Sequence, residues 1–115
     1  MRVVLLNALP LNAVKYDNFV ITVSRVTAEH LVKYLKNLKD YIQYELKCYI
    51  RHSATVDLLN KLLNIDLGTS NELYQYQDGD IIFVVTLKKP TRGAEVINLS
   101  EEDIEIFRVN IAKGE

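Results

Sequence analysis

The sequence predicts a single α/β domain, residues 1–115, built on a mixed β-sheet of about five strands flanked by helices. Three observations predict it. Short apolar runs rich in β-branched residues recur along the chain, two segments between them carry apolar residues at helical spacing, and a length of 115 residues suits one domain with a real core.

Val3-Val4-Leu5-Leu6 is a continuous apolar run that stops at the polar, proline-containing stretch Asn7 to Asn12, as expected of a central strand buried on both faces. Phe19-Val20-Ile21-Thr22-Val23 predicts a second strand. Thr27 then caps a helix over 28–39, with Glu29 in its first turn and Leu31, Tyr34, Leu35 and Leu38 on one face. In 41–50 the alternation of Tyr44, Leu46, Cys48 and Ile50 leans to a strand. Val56, Leu58, Leu59, Leu62 and Leu63 predict a helix from about 54 to 63, with Asn64 and Gly68 at its exit. Residues 73–77, the Asp78-Gly79 turn and residues 80–87 read as a hairpin whose second strand, Ile81-Ile82-Phe83-Val84-Val85, belongs in the middle of a sheet. A basic loop, Lys88-Lys89-Pro90-Thr91-Arg92-Gly93, follows, and after an acidic turn at 100–103 the segment 104–111 predicts a last strand.

Composition excludes several classes. Hydrophobic residues are 49% and charged residues 25% of the chain, which favours neither disorder nor a fibrous protein. A formal charge of -1 argues against a protein that coats long nucleic acid through a general positive field, while leaving room for a local basic pocket. The lone Cys48 has no partner for a disulfide or a thiolate metal site. Residues 3–6 are too short for a membrane span or the core of a signal peptide, so a cytoplasmic setting without membrane attachment is expected.

The chemistry-bearing residues fall at the ends of predicted strands. In Tyr49-Ile50-Arg51-His52-Ser53-Ala54-Thr55 a strand runs into a helix start, where free backbone N–H groups and the positive end of the dipole suit a phosphate. His52 there can give a proton to a leaving oxygen. The plain alternative is that Ser53 or Thr55 caps the helix and His52 lies on the surface; on pattern alone it weighs more. Lys88, Lys89 and Arg92 form a basic loop after the most apolar strand, suited to a second phosphate or to keeping an edge soluble. Asn7 and Asn12 offer amide groups that can read a base or ribose, although turn chemistry explains them as easily. His30 lacks the second histidine of a zinc helix, so no metal is expected, and no cofactor motif or nucleophile elbow is present.

Taken in order, these segments carry a resemblance. A strand ending in Leu6-Asn7-Ala8, the pattern His52-x-x-Thr55-x-x-Leu58-Leu59, and a Gly79-Asp80 strand start leading to a basic loop resemble small archaeal-virus and bacterial proteins that include the viral type III anti-CRISPR ring nucleases. The likeness runs through 6–8, 50–63, 78–93 and 106–111. It implies a homodimer that binds cyclic tetra-adenylate across its interface and cuts it, without metal, into short linear products. His52 would be the general acid that protonates the departing ribose 5′-oxygen, and the nucleophile would be the adjacent 2′-hydroxyl of the substrate. Asn7 would touch the ligand, and Arg92 is the counterpart of the basic-loop arginine.

The chain departs from that pattern at four places. Arg51 stands where a glycine usually precedes the histidine, Ala54 where a serine is common, although Ser53 is adjacent, and Glu72 where relatives carry an arginine. Pro90-Thr91-Arg92-Gly93 replaces an Arg-x-x-Glu-Gly arrangement. Three functions are therefore expected in order: a ring nuclease, a binding module that holds the same messenger uncut, and a structural or regulatory protein that pairs with another chain or with DNA.

Overall fold

The computed structural model describes residues 1–88 and 98–114. Five strands, β1 (Arg2–Leu6), β2 (Phe19–Val26), β3 (Glu45–Cys48), β4 (Ile81–Leu87) and β5 (Ile104–Lys113), form one sheet in the order β2-β5-β4-β1-β3. β1 pairs in parallel with β3 and β4, and β5 runs antiparallel to β4 and β2. Four strands thus point one way and β5 the other, the mixed α/β sheet the sequence predicts.

β1 has a strand on either side and cover on both faces, which explains its unbroken apolar run: Val3 to Leu6 are each at most 1% exposed. Val3, Leu5, Phe83, Val85 and Ile106 face a first core closed by two helices. The intervening Val4, Leu6, Ile82, Val84 and Val109 face a second core closed by Ala13 and Tyr74. Each fully buried side chain of this kind contributes roughly 1.5–3 kcal/mol.

Helix α1 (Ala28–Tyr41) starts where Thr27 Oγ1 accepts the His30 N–H at 3.0 Å, and it buries Leu31 and Leu35. It runs two residues past the predicted end, to a last turn closed by the Ile42 N–H on Leu38 O. Helix α2 (Ser53–Leu63) buries Val56, Leu58 and Leu59 and ends at Asn64, whose φ of 55° is the left-handed stop that Asn tolerates. The Asn60 side chain then ties down the exit, donating to Leu67 O at 2.9 Å and accepting from the Leu67 N–H at 2.7 Å.

One predicted element is absent. Residues 73–77 are not a strand, so there is no hairpin there. Both edges of β4 are already taken, by β1 and β5, and no ladder position is left for a third neighbour. The Asp78-Gly79 turn does form, with the Asp80 N–H on Gln77 O at 3.0 Å and Gly79 at φ 88°, but it leads out of a loop. The alternation of Tyr74 and Tyr76 has another cause: both rings pack on the second core, and the Tyr76 N–H bonds Ala13 O at 2.9 Å.

A buried ion pair pins this loop to the foot of the sheet. Arg2 Nη2 lies 2.5 Å from Asp80 Oδ2, with the two side chains 15% and 2% exposed. On β5, Arg108 faces the helices with its guanidinium 5.2 Å from the Tyr34 ring centre and 5.3 Å from that of Phe83.

Candidate functional site at the carboxyl ends of the parallel strands

After β1 the chain turns onto the second core, where Leu9 and Ala13 pack; after β3 it enters α2, which packs on the first core. Neighbouring parallel strands whose connections leave to opposite faces open a crevice between them, the place where open α/β sheets bind ligands. A cavity of about 300 Å³ lies there, with Asn7, Leu9, Tyr49, Arg51, Glu72 and Tyr74 among its walls. The chain end that carries Arg51 is fixed by the Tyr49 N–H on Leu5 O at 2.9 Å and the Ser70 N–H on Ile50 O at 3.1 Å.

His52 caps α2 itself. Its Nδ1 accepts the Thr55 N–H at 3.3 Å and lies 2.8 Å from Thr55 Oγ1, and its C=O receives the Val56 N–H at 3.2 Å. A ring nitrogen that accepts an N–H carries no proton, so the neutral imidazole holds its proton on Nε2. The side chain is half-buried, one residue from the cavity wall at Arg51, and stands at the positive end of α2.

The structure brings only some of the sequence candidates together. Asn7 and Arg51 share the cavity, and His52 and Ser53 follow at the helix start. Thr55 is only 3% exposed, and its hydroxyl is turned to the His52 ring. Asn12 sits in the short 3₁₀ turn Leu11–Ala13, exposed and away from the cavity walls. Lys88 follows β4 at the same end of the sheet but lines a different cleft, with Arg25, Thr27, Glu101 and Glu102. Lys89 and Arg92 lie outside the described residues.

Sequence reasoning missed the aromatic wall. Tyr49 and Tyr74 meet edge to face, with ring centres 5.3 Å apart, and Tyr74 Oη donates to Asp80 Oδ2 at 2.7 Å. Burial and this bond to a carboxylate push the Tyr74 hydroxyl well above its ordinary range, so it stays protonated. No local spacing signals the pair, because the return of 69–76 across the sheet edge alone brings the rings together. Among the described residues no group of three or more His, Cys, Asp or Glu side chains is placed to hold a metal, and no helix is long and apolar enough to cross a membrane.

No curated protein matches the chain. Among solved structures it is similar to B116 of Sulfolobus turreted icosahedral virus, with 24% identity over 95% of this chain and 98% of that one, at a TM-score of 0.73. That likeness shows the shared fold. Residues 3–111 match the model of the STIV B116-like family, and the chain belongs to that family.

Proposed function

We propose that this protein is a metal-independent ring nuclease that opens a cyclic oligoadenylate, most simply cyclic tetra-adenylate, and so switches off type III CRISPR signalling in the host cytoplasm. The observation that carries the reading is His52: a histidine held by its Nδ1 at a helix start, with Nε2 left to act, beside a crevice walled by Asn7 and Arg51. In the reaction the substrate 2′-hydroxyl loses its proton to solvent as its oxygen bonds to phosphorus, and the P–O5′ bond breaks. His52, acting as imidazolium, gives its Nε2 proton to the departing 5′-oxygen and is left as a neutral ring. The products are a linear strand with a 2′,3′-cyclic phosphate and a free 5′-hydroxyl. Arg51 and the first N–H groups of α2 balance the phosphate charge. Asn7 and, by resemblance, Arg92 complete the ligand contacts.

A ring with repeated phosphates calls for a symmetric site, and the exposed sheet face supplies a route to one. An apolar cleft of about 380 Å³, walled by Leu9, Leu11, Ile21, Val23, Phe107 and Val109, lies on the face opposite the helices. Leu9 belongs to both this cleft and the Asn7–Arg51 cavity, which supports a pairing of two copies here that would bring their two cavities together.

The test is incubation with labelled cyclic tetra-adenylate in EDTA, with His52→Ala alongside. Wild type is expected to make linear products and His52→Ala to lose about 10²–10⁴-fold in rate, the usual worth of a general acid. Equal rates for the two proteins would remove His52 from the mechanism. Glu72, which brings a carboxylate to the cavity wall, favours a second reading, a messenger-binding protein that does not cut. Tight binding without turnover in the wild type selects it.

A further inference from the structure

We infer that Thr55 is a positioning residue for His52, holding the imidazole by one atom through both of its charge states; the inference rests on the reading of His52 as general acid. Three observations carry it. Thr55 is a polar residue only 3% exposed, and its hydroxyl lies 2.8 Å from His52 Nδ1. Histidine is a poor helix cap, yet the chain caps α2 with His52 while Ser53, a residue type that caps well, stands next to it unused. The cap therefore serves to hold the ring as much as to start the helix.

The chemistry explains why a hydroxyl suits this place. A general acid passes from imidazolium to imidazole during each turnover. In the resting ring, protonated on Nε2, the Thr55 O–H donates to Nδ1. Once the ring is imidazolium the same oxygen accepts from Nδ1–H after a rotation of its hydrogen, and it goes on accepting when Nε2 has delivered its proton and the ring is neutral on Nδ1. A carbonyl could serve only a ring that carries Nδ1–H, and an N–H only one that does not. The ring thus keeps its orientation while Nε2 delivers its proton outward. Threonine adds a stiff χ1 that serine lacks.

Two measurements test this. In protein labelled with ¹⁵N-histidine, long-range ¹H–¹⁵N correlation of the neutral His52 ring is expected to show the proton on Nε2 in the wild type. In Thr55→Val, where the hydroxyl is gone and the long 3.3 Å backbone N–H bond remains on Nδ1, a mixture of tautomers is expected. A wild-type ring protonated on Nδ1, or a Thr55→Val spectrum identical to wild type, overturns the assignment. In the cleavage assay Thr55→Val is expected to lower kcat by about 10²-fold with KM nearly unchanged, and Thr55→Ser to recover most of that loss. A raised KM at unchanged kcat overturns positioning in favour of a ligand contact. Should Thr55→Val unfold, the wild-type tautomer and the Thr55→Ser rate still decide. Absence of any cleavage by wild type removes the nuclease reading, while the tautomer measurement judges Thr55 on its own.

Discussion

Asp80 gathers four hydrogen bonds on one carboxylate: two from Arg2, at 2.9 and 2.5 Å, one from Tyr74 at 2.7 Å and one from the Gln77 N–H at 3.1 Å. Burial pushes its pKa up, but the bonds from Arg2, Tyr74 and Gln77 outweigh it and hold the carboxyl below the usual range. A carboxyl depressed on folding stabilises the fold above its unfolded value, about 3.9, and loses that stabilisation as pH falls through the lower folded value. Urea unfolding is therefore expected to show stability falling below about pH 4 in the wild type. Asp80→Asn strands the half-buried Arg2 charge and is expected to cost about 3 kcal/mol at pH 7 while flattening that acid slope. An unchanged midpoint and slope would show that the pair contributes nothing. At this scale legibility depended on neighbours in the chain. Asn7, Arg51 and His52 announced themselves because each ends a strand or opens a helix. Arg2 and Asp80 lie 78 positions apart, and only the parallel pairing of β1 with β4 brings them together.

At the scale of elements, periodicity served where one covering layer decided it. β1, β4, α1 and α2 were readable because each buries a continuous run or one helical face. The segment 73–77 misled because an extended loop lying on a sheet buries alternate residues just as a strand does; what separates the two is whether a neighbour has a free edge. The turn that follows is real all the same, and Gly79 is its hinge. At φ 88° an alanine is strained, yet a Cβ there would meet nothing within 4 Å. The cost of Gly79→Ala is thus purely backbone, roughly 1–2 kcal/mol, with the fold intact. Thermal unfolding checks it: a Tm equal to wild type would mean that the turn relaxes to a negative φ at no cost.

For the whole molecule the question is what covers the sheet beyond its two cores. β2 is an edge strand of eight residues, and Val23 remains 55% and Leu11 66% exposed beside Ile21 and Phe107. An apolar face next to an open strand edge is the kind of surface that soluble chains cover by association. Sequence pattern places Ile21 and Val23 on β2 without showing that they stay uncovered, since that depends on the helices both packing on the opposite face. Leu9 lines both the apolar cleft on this face and the Asn7–Arg51 cavity, so the proposed function calls for two copies paired here with one cyclic ligand spanning both cavities. Val23→Glu puts a charge on the wall of that cleft at a site exposed enough to leave the monomer fold unharmed, with a change within about 0.5 kcal/mol. Sedimentation is then expected to show a dimeric wild type and a monomeric variant with unchanged circular dichroism. Binding of cyclic tetra-adenylate should weaken by at least about tenfold, because half of the contacts leave with the partner. A variant that stays dimeric places the interface elsewhere, and a monomeric variant that binds the ring undiminished shows that one protomer holds the whole ligand.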